Sequence, residues 1–390
     1  MIGLGAVALG MIAASVACAQ GSALDRRVMA VADGRVEFNV PSRADACGDG
    51  AHWYRVSSDV WFGRSVNDGD GSMTMMQCEA GPLRVRVTLV AREVVRIENF
   101  IGPLKHDETA TDLGATDARE ATAWLATVAR SASGRPARDA ISAVTLVKGG
   151  AAADGLAAIA RDEDRARDTR RASLSALLRL EDGSGMPLLI TLGEAGRDTW
   201  LGAEATRVVG RSGDPRARRH LRAVLADRAR PQELRAAAAA GLGNEYATGE
   251  DAKLLRDQFG SFENDETRGT VLNAIAAVGG RTNATWIIAL ARDETQSTNT
   301  RRRAVSAASR AGATGVDLAA LYDAAPDTET RGAVITALAN DGSRPSRDKL
   351  LAIAKSTETA SIRRRAVSAL ERFDSPEVRE MLTTIAMPRP

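Results

Sequence analysis

The chain has 390 residues, with 52 Lys and Arg against 50 Asp and Glu, three cysteines and 4% aromatic residues. A charge so nearly balanced excludes a molecule that grips polyanions through its overall field and leaves only local patches for that role. The length exceeds one ordinary domain, although an array of repeats can form a single elongated body of any length.

Residues 1–19 are uncharged, mostly Ala, Gly, Val, Leu, Ile and Met, and close with Ala17-Cys18-Ala19 before Gln20. The small residues fit an A-x-A cleavage site, so the segment is read as a signal peptide despite lacking the Lys or Arg of a usual n-region. Residues 2–19 could alternatively serve as a membrane anchor, but the Gly and Ala content and the cleavage site favour removal. No other stretch is apolar for long enough to span a bilayer, so the mature chain is expected to have no transmembrane segment and to work in the periplasm or outside the cell. Cleavage before Gln20 leaves Cys47 and Cys78, which in an exported chain most simply form one disulfide.

In residues 20–33, Leu24, Val28 and Val31 fall at helical spacing, which predicts a short amphipathic helix. From Gly34 the period becomes two. Val36, Phe38 and Val40 alternate with polar residues, and Leu83, Val85, Val87 and Leu89 alternate with Arg84, Arg86 and Thr88, the pattern of half-buried strands. A turn around Ala91 to Glu93 leads into a returning strand from Val94 to Ile101. Residues 34–102 are therefore expected to form a small β-rich domain stapled by the disulfide, and residues 103–115 a polar linker.

The remainder reads as helical. Thr116-Asp117 starts the first helix, Asp214 and Ser375 stand as N-caps before Pro215 and Pro376, and Gly-Gly or Gly-Asn pairs close helices at 149–150, 243–244 and 279–280. The seven letters RRRAVSA run from Arg301 to Ala307 and again from Arg363 to Ala369, 62 residues on. Looser copies are TRRASLSAL from Thr169, TRGTVLNAI from Thr267 and TRGAVITAL from Thr330. Half the interval is 31 residues, the length of one helix-turn-helix unit of an α-solenoid. About seven and a half units follow over residues 116–388, with starts near 116, 151, 184, 215, 248, 282, 315 and 345 and a lone helix from Pro376. Neither helix of a unit can bury its apolar stripe alone, so each unit must stack on its neighbours.

The stretches LARDETQSTNTRRRAVSA from Leu290 and IARDEDRARDTRRASLSAL from Ile159 resemble HEAT repeats of the short bacterial type. The order of leader, small domain with CGDG and CEAGP around Cys47 and Cys78, and helical units is similar to exported bacterial proteins described only as HEAT repeat domain-containing. The resemblance implies a mainly α fold, a right-handed superhelix whose second helices line the concave face, and a role in holding a protein partner without catalysis.

Arginines at the start of second helices recur as Arg170, Arg235, Arg268, Arg302, Arg331 and Arg364. Their regularity favours a structural ladder paired with acids such as Asp162, Asp227, Asp293 and Asp323 over a grip on a partner. The adjacent Arg301, Arg303, Arg363 and Arg365 are then expected to face solvent or the partner. Nucleic acid is not expected as that partner, because net positive charge, interleaved aromatics and an intracellular location are all lacking. Asp68, Asp70, Ser72 and Glu79 faintly resemble a calcium loop, but Met73 replaces the glycine of the sixth position and the flanks read as strands, which favours a hairpin turn. His52, His106 and His220 are scattered, arguing against a metallohydrolase and against the di-iron hydroxylases that also use HEAT-like repeats. No nucleophile elbow, phosphate loop or dinucleotide fingerprint occurs, and no cofactor is expected. Trp124, Trp200 and Trp286 read as core residues. An enzyme or ligand-binding protein with its site around Asp49, His52 and Asp70, at the β-rich domain or its junction with the first repeat, is the alternative.

Overall fold

The computed structural model describes residues 22–386 except 51–52, 58–59, 62–77, 104–106, 150–151 and 195–197. The leader read in residues 1–19 lies outside the described residues. The chain divides into two compact units, one reaching to Ala152 and one starting at Ala153. It is mostly helical, in consecutive hairpins, with a small sheet region near its start.

The first unit opens with α1 (Ala23–Met29), whose N-cap Ser22 accepts from the Asp25 amide and whose buried residues are Leu24 and Val28. Seven strands follow: β1 (Gly34–Val40), β2 (Ala46–Gly48), β3 (Trp53–Ser57), β4 (Val60–Trp61), β5 (Leu83–Val90), β6 (Glu93–Phe100) and β7 (Ala110–Ala115). One sheet has the order β6-β5-β1-β7 and the other β2-β3-β4. β7 pairs in parallel with β1, so a strand occupies the segment expected to be a linker. Its short polar sequence shows no alternation because it is an edge strand with little to bury. The sulfurs of Cys47 and Cys78 are bonded, with Cα atoms 5.3 Å apart.

Register explains the two faces of the larger sheet. Val36 lies opposite Val87, Phe38 opposite Val85 and Val40 opposite Leu83, and all six are buried. The helical hairpin α2 (Ala118–Ser131) and α3 (Gly134–Val144) belongs to this unit. Trp124 of α2 sets its ring edge-on to Phe38 at 5.8 Å, and Asn99 of β6 donates to the Asp139 carbonyl of α3 at 3.3 Å. On the opposite face Glu37 is fully buried and takes bonds from Arg84 at 3.0 Å and Arg86 at 2.6 Å. Those arginines, which alternation alone would send to solvent, are held inward by a charge that cannot be left unpaired.

The turn between β5 and β6 carries two residues in the left-handed region, Ala91 at φ 50° and Arg92 at φ 60°. Their amides are committed, Ala91 to Asp33 and Arg92 to the Ala32 carbonyl. Two left-handed residues are what a two-residue hairpin turn needs, and Asn-Gly meets that need at least cost. The double substitution Ala91→Asn with Arg92→Gly is expected to stabilise this unit by about 1 kcal/mol, read as a higher midpoint in urea at unchanged slope.

The second unit consists of seven hairpins and a last helix. They are α4 (Ala153–Arg161) with α5 (Arg167–Leu178), α6 (Gly185–Gly193) with α7 (Thr199–Val209), and α8 (Pro215–Ala226) with α9 (Gln232–Leu242). Next come α10 (Gly249–Phe259) with α11 (Asp265–Val278), α12 (Arg281–Arg292) with α13 (Thr298–Arg310), α14 (Gly315–Ala324) with α15 (Thr328–Asp341), and α16 (Arg344–Lys355) with α17 (Ala360–Leu370), before α18 (Pro376–Ala386). Asp214 caps α8 ahead of Pro215, and Ser375 accepts from the Val378 amide at 3.3 Å. Second helices touch second helices more extensively than first helices touch first. Small residues permit this approach: a β-carbon on Gly210 would come within 2.5 Å of Gly241 Cα.

Between hairpins, Asp251 of α10 is fully buried and accepts from Arg222 at 2.7 Å and from Arg218, both on α8. Burial alone would raise its pKa, but bonds from Arg222, Arg218 and Thr248 outweigh it and bring the value to about 2. Asp251→Ala would leave two guanidinium groups without their shared acid and is expected to cost about 3 to 5 kcal/mol at pH 7. Because the folded pKa lies below the unfolded value, the carboxylate's contribution is complete above about pH 4 and lost as pH falls toward 2. Denaturant titrations at pH 7 and pH 3 should therefore differ less in the variant than in the parent.

Candidate functional site: the second-helix face

The second helices share one device, best counted from the N-cap. The fourth position after it is Arg170 in α5, Arg235 in α9, Arg268 in α11, Arg301 in α13, Arg331 in α15 and Arg363 in α17, with Gly202 standing there in α7. This corrects the series read from sequence, which took Arg302 and Arg364. Matching the copies on RRA shifts α13 and α17 by one residue, whereas Thr300-Arg301 is the counterpart of Thr169-Arg170 and Thr267-Arg268. Arg301, expected to face a partner, is buried.

Three of the inward arginines do two things. Their Nε bonds a carbonyl near the end of the preceding first helix: Ala160 for Arg170 at 2.8 Å, Leu225 for Arg235 at 3.1 Å and Phe262 for Arg268 at 2.7 Å. Cations suit such ends, where carbonyls lack helical partners. Guanidinium nitrogens also reach the following hairpin, Arg170 to Asp198, Arg235 to Ser261 at 2.6 Å, Arg301 through its Nε to Asp327 at 3.0 Å and Arg331 to Glu358 at 3.1 Å, while Nη1 of Arg301 bonds the Glu294 carbonyl at 3.3 Å. Burial works against the charge of Asp327, yet bonds from Thr330 and Arg301 hold its pKa below the ordinary carboxylate range. The acids suggested as counter-charges serve elsewhere: Asp162 and Asp227 pair with Arg165 and Arg230, Asp293 binds Thr295, and Asp323 pairs with Lys349.

Arg302, Arg303, Arg363, Arg364 and Arg365 are exposed. Arg302 and Arg303 line a cleft of about 380 Å³ walled by α11, α13 and α15, together with Asn299, Ser306 and Arg310. Arg364 and Arg365 line a second cleft of about 700 Å³ between α15 and α17, with Ser368, Arg372 and the single acid Glu371. The lining repeats at the 62-residue interval: Arg302, Arg303, Ser306 and Arg310 correspond to Arg364, Arg365, Ser368 and Arg372. Arg310 donates to Asn273 at 2.6 Å, and Arg372 donates to Asn340. Ser306, Arg310, Ser368 and Arg372 were not singled out from sequence, although the signal was there, since RRRAVSAASR and RRRAVSALER extend the repeated motif by one more helical turn.

A glycine underlies each cleft. A β-carbon on Gly269 of α11 would collide with Arg303 Nη1, and one on Gly332 of α15 with Arg365 Nη1. The TRG copies thus supply the floor over which the RRR copies lie. The obstacle is a mobile guanidinium, and alanine is the better helix former, so Gly269→Ala and Gly332→Ala should each leave stability unchanged or raise it by up to about 1 kcal/mol, as thermal unfolding would show.

The remaining sequence candidates fall as follows. Asp68, Asp70, Ser72 and His52 lie outside the described residues, while Glu79 pairs through its backbone with Gly48. Among the described residues no three His, Cys, Asp or Glu side chains gather to hold a metal ion, and no helix is long and apolar enough to cross a membrane. Burial lowers the pKa of His220, which sits near Glu194. Trp200 is half-buried under Arg170 at 4.6 Å, and Trp286 packs edge-on to Phe259 at 5.3 Å.

Comparison with known families matches HEAT repeats over residues 316–388, so HEAT repeats are found in that stretch of the chain. No curated protein matches. Among solved structures, human deoxyhypusine hydroxylase in complex with glycerol is similar at 20% identity and TM-score 0.28, over 61% of this chain and 90% of that one. A structure from the computational design of self-assembling cyclic protein homooligomers is similar at 17% identity and TM-score 0.13, over 70% and 95%. Superpositions this loose carry no inference about activity.

Proposed function

We propose that this protein is an exported, non-catalytic scaffold that holds a protein partner on the second-helix face of its HEAT array. The observation that carries the reading is the division of labour among the arginines. Arg170, Arg235, Arg268, Arg301 and Arg331 are spent on stacking, while a second set, Arg302 and Arg303 on α13 and Arg364 and Arg365 on α17, stands exposed without an ion pair among the described residues. HEAT repeats generally mediate protein interaction, and the denser packing of the second-helix layer suits an array that curves toward that side. The leader read in residues 1–19 and the bond between Cys47 and Cys78 support a place in an oxidising compartment outside the cytoplasm.

Photo-crosslinkers placed at Thr336 on the second-helix face and at Thr285 on a first helix, both exposed, test this in the native envelope fraction. The expected outcome is a discrete protein adduct from Thr336 and none from Thr285. Adducts from Thr285 alone, or a small molecule that raises the melting temperature where neither site yields a protein, would replace the scaffold reading.

A further inference from the structure

We infer that the two arginine clefts form one bipartite site for an acidic peptide segment carrying two clusters of carboxylates about six residues apart, an inference that rests on the second helices being the partner-binding face. Helix α13 carries four arginines and no acid, and α17 three and no acid. Only Arg301 of these turns inward to an acid, Asp327. Arg302, Arg303, Arg364 and Arg365 have no ion pair among the described residues. An earlier hairpin shows what neutralisation on this layer looks like: Arg171 of α5 bonds Glu204 of α7 at 2.7 Å, and Arg207 shares the same acid at 2.8 Å. Among the described residues no acid takes that place opposite Arg302 or Arg364.

Paired guanidinium groups present forked donors suited to carboxylates, and the neighbouring Ser306 and Ser368 hydroxyls add further donors. The two clusters are also separate. Between them α15 contributes Ala333, Ile335, Thr336 and Ala339, uncharged side chains of which Thr336 lines both clefts. Stacked helices lie about 8–10 Å apart, so α13 and α17 are about 16–20 Å apart across α15. An extended peptide advances about 3.3 Å per residue, which places its two acidic clusters five to six residues apart. A nucleic-acid strand would instead bring a charge to every step of that path and would seek aromatic platforms, and no described residue lining either cleft is aromatic.

Fluorescence anisotropy with the full chain tests the site. The probe is a labelled peptide with two Glu-Glu pairs separated by a four-residue Gly/Ser spacer, which sets the pair centres six residues apart, measured beside a peptide with one pair and a peptide whose two pairs adjoin without a spacer. The expected result is at least tenfold tighter binding of the peptide with the four-residue spacer than of either control. Arg303→Gln with Arg365→Gln should abolish that advantage at unchanged melting temperature. Gly269→Ala with Gly332→Ala should weaken binding severalfold without unfolding the chain, because it moves the same guanidinium groups from beneath. Equal binding of all three peptides, tight binding retained in the Arg303→Gln/Arg365→Gln protein, or displacement of the peptide by a single-stranded oligonucleotide that binds more tightly would each overturn the inference. Should the peptides fail while the crosslinker at Thr336 still captures a protein, the bipartite acidic site falls and the scaffold reading stands. Should that crosslinker also capture nothing, both fall.

Discussion

An arginine four residues past the start of the second helix is what the array depends on. A two-helix hairpin of some thirty residues cannot close its own core, and each hairpin here exposes both an unfinished helix end and an apolar stripe. Arg170, Arg235 and Arg268 finish the end of the first helix by bonding its last carbonyls, and with their remaining nitrogens they reach into the next hairpin. One side chain thereby fixes the turn within a unit and the step between units. Burial of such a charge is costly, and it is tolerated because these three arginines bond through both Nε and a terminal nitrogen and because an aromatic ring often lies beneath, as Phe262 does at 4.7 Å from Arg235.

The same helix can then carry a second kind of arginine at no cost to the stack. Arg302 and Arg303 follow Arg301 directly, but successive positions on a helix point about 100° apart, so one turns inward and the next two do not. Identical residues in an unbroken run thus divide into structural and exposed sets purely by phase. The glycines at 269 and 332 complete the arrangement by leaving room for the guanidinium groups that lie over them.

Much of this was legible in the sequence. The repeat length, the strands at Val36 and Val85, the pairing of Cys47 with Cys78 and the caps at Asp214 and Ser375 all follow from periodicity and local chemistry. The phase of the arginines was not, because a run of three identical residues offers several registers and only the cap, Ser297 or Thr359, fixes the choice. Nor was β7, whose six residues lack alternation. Glu37 was hidden for a further reason: in a period-two pattern it reads as a solvent-facing acid, and only the register of β1 against β5 places it between the buried Arg84 and the half-buried Arg86. The clefts could have been found by extending the exact repeat one turn further, to Arg310 and Arg372.

The alternation of glycine-bearing and arginine-bearing helices makes two hairpins, not one, the modular element of the late array. Were α15 deleted with its hairpin and α17 seated on α13, Arg365 would lie where Arg302 now projects, and two like charges would compete for one space. Duplication or loss in this part of the chain is therefore tolerated in steps of 62 residues, and any relative whose array is longer or shorter by an odd number of hairpins must have rewritten one of these faces.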